Sequence, residues 1–166
     1  MNKIYNCLFL CTGNSCRSII AESIMNKLGK GQFRAFSAGS LPVGYVHPIA
    51  LELLKEKGHS IQDLSSKSWE LFENGPEMDF IITVCDSAAG EICPIWLGKP
   101  MTAHWGVIDP AGIEGDYEVI LTAFKDTYTK FEKMISELIN KITNEEDFHI
   151  SEENIERIRN SVEEKT

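Results

Sequence analysis

The sequence predicts an α/β fold: a three-layer sandwich in which a four-stranded parallel sheet is flanked by helices. Short apolar runs of strand character alternate with stretches of helical spacing, and that order favours parallel strands with helices on both faces. The first run leads through a tight loop straight into a helix. At 166 residues and 43% hydrophobic, the chain is long enough for one well-buried core and too short for two ordinary domains.

The elements follow in order. Ile4-Tyr5-Asn6-Cys7-Leu8-Phe9-Leu10 has the length and the apolar and aromatic content of a buried parallel strand. Ile19, Ile20, Ser23, Ile24, Lys27 and Leu28 then recur at helical spacing. Gln32 to Gly39 alternates apolar and polar side chains, as a half-buried or edge strand does. Pro48 opens a helix whose apolar face is Ile49, Ala50, Leu53 and Leu54, and Gly58 is placed to end it. Ser65 to Phe72 reads as a short second helix before the Asn74-Gly75-Pro76 break. Asp79 to Cys85 is the next buried strand and Met101 to Trp105 the fourth. From Asp116 or Tyr117 to about Ile142, Val119, Ile120, Phe124, Tyr128, Phe131, Ile135 and Leu138 mark one long amphipathic helix. Residues 143–166 form a separate acidic extension beyond a main unit of 1–142: Ser151, Glu152 and Glu153 start a capped helix with Ile155, Ile158 and Val162 on its apolar face. That helix either packs on its own domain or makes a dimer contact.

The chemistry is concentrated in Cys11-Thr12-Gly13-Asn14-Ser15-Cys16-Arg17-Ser18, between the first strand and the first helix. Loop N–H groups and the free N–H groups of the helix's first turn converge there, where hydrogen bonds and the helix dipole favour an anion. Cys11 at the floor of such a nest is expected to be a thiolate nucleophile of lowered pKa, helped by Arg17. The Arg17 guanidinium is a planar fork suited to two oxygens of a tetrahedral oxyanion. Gly13 and Asn14 tolerate positive φ and let the chain turn its amides inward. Ser18 can donate to the Cys11 sulfur.

A formal net charge of −9 argues against a nucleic-acid partner and against an acidic membrane surface. The first apolar run is short, is interrupted by Asn6 and has no cleavage-site pattern, so neither a signal peptide nor a membrane span is expected, and a cytoplasmic location is. Five cysteines in such a chain point to catalytic or redox use rather than a disulfide framework. Cys7, Cys11 and Cys16 lack zinc-site spacing, so no metal is expected. Cys7 reads as core, and Cys16 as a bystander in the loop.

Other features converge on the strand ends, where ligands of such sheets bind. Cys85 ends the third strand, and Cys93 follows a small-residue stretch, Asp86 to Ile92, that reads as a mobile loop or weak helix. Singly each is an ordinary buried or loop thiol; as a pair near a thiolate they read as a relay. Asp109, in Gly106-Val107-Ile108-Asp109-Pro110-Ala111-Gly112, is either a turn opener or a general acid for a leaving oxygen.

In these residues the chain resembles the arsenate reductases of the thioredoxin-coupled type, built on the low-molecular-weight protein tyrosine phosphatase fold. The resemblance rests on Cys11 to Ser18, Ser37-Ala38-Gly39, Thr83-Val84-Cys85-Asp86, Cys93-Pro94, His104-Trp105-Gly106 and Asp109-Pro110, and covers 3–142 in family order. The cysteine pair after the third strand, and Asp-Pro-Ala where the phosphatases carry tyrosines after Asp-Pro, separate the reductases from the phosphatases. The resemblance implies attack on arsenate by Cys11, oxyanion binding by Arg17 and the loop, and proton donation by Asp109. A disulfide cascade then passes through Cys85 and Cys93 to an external thiol reductant, thioredoxin or glutathione with glutaredoxin, without a bound cofactor. Phosphate or sulfate are the expected analogues, weak phosphate ester hydrolysis a side activity, and a monomer or weak homodimer the expected state. A phosphatase, or an anion-binding protein without catalysis, are the alternatives. Some family members bind potassium through a loop asparagine, a helix glutamate, a serine and an aspartate. Asn14, Glu22 and Ser37 match the first three and Lys67 falls at the fourth, so its ammonium is expected to replace the metal. The spacer between Cys85 and Cys93 is one residue longer than in those members.

Overall fold

The structure is a computed structural model that describes residues 3–85, 96, 98 and 100–164. Its strands are β1 (Tyr5–Cys11), β2 (Phe33–Gly39), β3 (Phe80–Thr83) and β4 (Met101–His104). They form one parallel sheet in the order β2-β1-β3-β4. Among the described residues four α-helices accompany it: α1 (Arg17–Leu28), α2 (Pro48–Glu56), α3 (Tyr117–Asn144) and α4 (Glu152–Glu164).

The central strand explains the apolar first run. Cys7, Leu8, Phe9 and Leu10 have no exposed surface, because β1 is covered on both faces and paired on both edges. Cys7 and Phe9 point into the large core with Ile20 and Ile24 of α1 and Phe131 and Ile135 of α3. Leu8 and Leu10 face a smaller cluster with Ile81 and Met78, closed by Phe36, Trp69, Phe72 and Trp96. Register sets the strand ends level: Cys11 lies opposite Gly39, Leu10 opposite Thr83, and Thr83 opposite His104. The loop after β1, Val84 and Cys85 after β3, and the residues after β4 therefore meet at one rim.

Strand ends move by one or two residues, β3 most, since it stops at Thr83 and not at Cys85, and two helical stretches also differ from the sequence reading. Only Trp69–Phe72 is helical, as a single 3-10 turn, in the stretch read as a helix from Ser65. The preceding residues are extended because Lys67 O accepts from Gly39 N at 2.9 Å, so the backbone hydrogen bonds that a helix would use go to the end of β2. The long helix runs two residues past Ile142, to Asn144.

The C-terminal helix packs on its own domain. Ser151 Oγ accepts from Asn154 N at 3.1 Å as its cap, and Ile155, Ile158 and Val162 are buried against α3 and β4. The fully buried Trp105 indole donates to Ile155 O at 2.8 Å. Among the described residues no helix is long and apolar enough to cross a membrane.

Because Ile155 is fully buried, Ile155→Ala is expected to cost about 2–5 kcal/mol of stability in urea unfolding. A loss near zero would mean that α4 does not pack on the core.

Candidate active site

The Cys11–Ser18 loop is shaped from outside by the segment after β2. Leu41 N donates to Thr12 O at 3.0 Å, Val43 N and Ser66 Oγ to Gly13 O at 3.0 and 3.1 Å, and His47 N to Ser15 O at 2.9 Å. With these carbonyls tied outward, the loop amides are left to the inside, and Asn14 N reaches Cys11 Sγ at 3.2 Å. Two residue types are required by this path. Asn14 has φ +47°, the left-handed region. A Cβ on Gly39 would lie 2.3 Å from Thr12 O, so only glycine lets β2 end against the loop. Leu41, Val43, His47 and Ser66 carry no sequence signal of this role, since three of them act through backbone N–H groups alone.

Inside the loop a hydrogen-bond chain runs from an ion pair to the sulfur. Lys67 Nζ lies 3.8 Å from Glu22 Oε1, and Ser37 Oγ donates to the same carboxylate oxygen in a short contact. The Asn14 amide nitrogen donates to Ser37 Oγ at 3.0 Å and to Ser18 Oγ at 2.7 Å, while its oxygen accepts from Lys67 N at 2.9 Å. Ser18 Oγ, already accepting, has its proton free for Cys11 Sγ at 2.9 Å. Asn14, Ser18 and Ser37 are buried, and Asn14 uses three of its amide's bonding positions. The four residues aligned with a cation site, Asn14, Glu22, Ser37 and Lys67, are thus in one network. Burial pushes the Glu22 carboxyl up, and Lys67 and Ser37 pull it back in part.

The expectation of a lowered Cys11 pKa is corrected. Burial pushes the Cys11 thiol up, and the pull from Ser18 and the Asn14 N–H does not reverse it. The main groups favouring the thiolate are these two and not Arg17, whose guanidinium points elsewhere: Nη1 donates to Val107 O at 3.0 Å, and Nη2 is 3.7 Å from Asp109 Oδ2. Arg17 Nε is buried without a hydrogen-bond partner, a donor that a bound oxyanion oxygen would satisfy. Cys16, the residue before α1, is buried with its thiol directed at Asp109 Oδ1, 3.6 Å away. Its pKa is pushed up to about 12 by burial, with Asp109 and Cys11 adding to it, so it is a neutral thiol.

The sheet brings Cys85 to the same rim. It is 3% exposed, its sulfur is 3.7 Å from Thr12 Oγ1, and its charge would act on Cys11. Asp109 follows β4 and caps the Pro110–Gly112 turn, accepting from Ala111 N at 3.0 Å, so the turn-opener reading and the approach to Arg17 hold together. Cys93, and the stretch before it read as a mobile loop, lie outside the described residues. A cleft of about 440 Å³ opens over this rim, lined by Arg17, Cys85, Gly106, Val107, Ile108, Asp109 and Arg159. Arg159, from α4, is a cleft residue that sequence reasoning missed. No group of three or more His, Cys, Asp or Glu placed to hold a metal is found among the described residues.

The chain is similar to several known proteins. The sequence matches the family described as low molecular weight phosphotyrosine protein phosphatase over residues 6–164. An arsenate reductase of Halalkalibacterium halodurans is 37% identical over 139 residues, which span 81% of this chain and 94% of that relative. Among solved structures, an arsenate reductase in the phosphate binding state aligns with a TM-score of 0.70 and 28% identity, over 84% of this chain and 100% of the other. A thioredoxin-dependent arsenate reductase of Corynebacterium glutamicum aligns at 0.62 and 26%, over 84% and 62%.

Glu22 is favoured protonated by burial, so its ionisation as pH rises opposes folding unless a cation offsets it. Lys67→Met is therefore expected to lower stability by about 3 kcal/mol at pH 8. The loss should shrink as pH falls through the raised Glu22 pKa, and a loss independent of pH would remove the ion pair as its cause.

Proposed function

This chain belongs to the low molecular weight phosphotyrosine protein phosphatase family, and on that basis we propose that it reduces arsenate to arsenite through a thiol–disulfide relay, serving arsenic detoxification in the cytoplasm. The observation that carries the reading is the second thiol: Cys85 is buried at the lip of the Cys11 loop, beside Thr12. Hydrolysis of a phosphate ester needs one nucleophile and one acid, and has no use for a sulfur there.

Arsenate enters the loop with its oxygens on the inward amides and on the Nε and Nη2 edge of Arg17, which supplies the partner that Nε lacks. Cys11 meets it with its sulfur bonded to Ser18 and Asn14 N, and its proton passes to the oxyanion, which arrives as a base. The sulfur–arsenic bond forms and an arsenic–oxygen bond breaks; Asp109, released from Arg17 and carrying a proton taken from solvent, gives it to the leaving hydroxide, which departs as water and leaves the carboxylate. Cys85 then attacks the Cys11 sulfur. The sulfur–sulfur bond forms, the sulfur–arsenic bond breaks, and its electron pair reduces arsenic from the pentavalent to the trivalent state. Arsenite leaves, and the two sulfurs are left oxidised. Cys93 attacks Cys85, frees Cys11 and leaves a Cys85–Cys93 disulfide for an external dithiol, thioredoxin or glutaredoxin with glutathione. No bound cofactor or metal takes part. The Lys67 ammonium, 3.8 Å from Glu22, supplies the positive charge under the loop, so potassium is not required.

The family also contains phosphate monoester hydrolases, and Cys11 with Asp109 suffices for that reaction, so a low phosphatase activity accompanies reduction. Phosphate and sulfate compete for the same loop.

The deciding measurement is arsenite formation with thioredoxin, its reductase and NADPH, in wild type and Cys93→Ala. Steady turnover in wild type and about one arsenite per enzyme in Cys93→Ala is the expected result. Turnover with glutathione and glutaredoxin alone, indifferent to Cys93, would discard the relay; no arsenite with brisk phosphotyrosine hydrolysis would leave a phosphatase. Exchanging sodium for potassium at constant ionic strength should leave the wild-type rate unchanged, and a several-fold stimulation would refute the role given to Lys67.

A further inference from the structure

The C-terminal helix does more than cover the core, because it holds three successive residues at the end of β4. Glu156 Oε1 accepts from His104 N at 3.1 Å, Ile155 O accepts from the Trp105 indole at 2.8 Å, and Arg159 Nε donates to Gly106 O at 2.9 Å. The next carbonyl, Val107 O, accepts from Arg17 Nη1 at 3.0 Å. Two guanidinium groups, one from the Cys11 loop and one from α4, thus grip consecutive carbonyls of the segment that carries Asp109. Arg159 is itself aimed: Nη2 is 3.3 Å from Glu163 Oε1, one helical turn on, and that oxygen is also 3.3 Å from Lys130 Nζ of α3. Its side chain is about a third exposed, at 32%, and lines the cleft beside Asp109.

Charge bookkeeping shows when this second grip matters. Arg17 Nη2 faces the Asp109 carboxylate at 3.7 Å, and Nε is unpartnered. An oxyanion that takes the Nε and Nη2 edge withdraws Nη2 from Asp109. The ion pair that draws Asp109 towards the site is then lost at the moment its proton is needed. What remains are the backbone grips at Gly106 and Val107, the contacts of Asp109 Oδ1 with Ala111 N and the Cys16 thiol, and the buried Pro110, while Ile108 is exposed and adds little packing.

We propose that Arg159 is a positioning residue for Asp109: its grip on Gly106 O keeps the acid loop over the Cys11 site while Arg17 is engaged by the oxyanion. Arg159 does not touch the reacting atoms. It acts through the backbone, with Glu163 orienting the guanidinium and α4 as its support. The proposal rests on Asp109 being the general acid.

The test is a double-mutant cycle of Arg159→Gln with Asp109→Asn, read as kcat and KM for arsenate and for 4-nitrophenyl phosphate, alongside thermal melting. Arg159→Gln is expected to lower kcat by about 10- to 100-fold, the scale of a misplaced catalytic group, with KM little changed. In Asp109→Asn the same change should cost almost nothing further, because the residue it positions is gone. Ile158→Val weakens α4 without touching the guanidinium and should lower the melting temperature but not kcat. If Arg159→Gln does not fold, Arg159→Lys is used in the same cycle, since an ammonium cannot reproduce the Nε donor geometry. Additive losses, no loss, or a loss that follows the melting temperature as in Ile158→Val would overturn the role of Arg159. An Asp109→Asn enzyme as fast as wild type would instead overturn the acid, and the positioning role with it.

Discussion

The arrangement depends on one buried side-chain amide. Asn14 holds a left-handed backbone in the middle of the Cys11 loop, and its side chain bonds Ser18, Ser37 and the Lys67 backbone. A non-glycine residue in that conformation is strained and persists only when its surroundings over-determine it. Here they do, because each hydrogen bond reaches a different element: α1, β2 and the segment before the 3-10 turn. The same bonds orient the hydroxyls, so that protons point from Ser37 to Glu22 and from Ser18 to Cys11. Shape and polarity of the anion nest follow from a single residue and its partners.

Electrostatics at the site are local and work against the rest of the molecule. The chain carries a net charge of −9, yet the cleft presents Arg17 and Arg159, and the loop rests on Lys67. Burial sets the protonation states. It raises Cys11, Cys16 and Glu22 together, so the resting site is one of neutral thiols under hydrogen-bond tension rather than of a free thiolate. The nucleophile is prepared by Ser18 and the loop amides, and Arg17 waits on Val107 O with one donor unpaired. That division of labour leaves Arg17 able to respond to an oxyanion instead of neutralising a sulfur.

The C-terminal segment changes meaning once its contacts are known. As sequence it is a capped, acidic amphipathic helix with two equal fates. In the fold its polar and backbone groups bond His104, Trp105 and Gly106 in turn, and its one arginine at the rim bonds the segment that leads to Asp109. A segment that looks appended is part of the frame around Asp109.

The sequence by itself determined the elements that are set locally. Apolar runs and helical spacing gave β1, α1, α2 and the long α3 within a residue or two, and the residue types of Cys11 to Ser18 pointed to an anion loop, because glycine, asparagine, arginine and serine each have a short-range reason to be there. Cys85 and Asp109 were legible from their places after strands. Only tertiary structure decided what depends on residues distant in the chain. The stretch from Ser65 is extended because Gly39 claims its backbone. The Cys11 thiol is raised because two layers bury it, and Arg159 enters the cleft because α4 folds back across β4. Spacing in a sequence reports what neighbours along the chain can do; burial, and which guanidinium finds which carbonyl, are properties of residues brought together from some 50 positions apart.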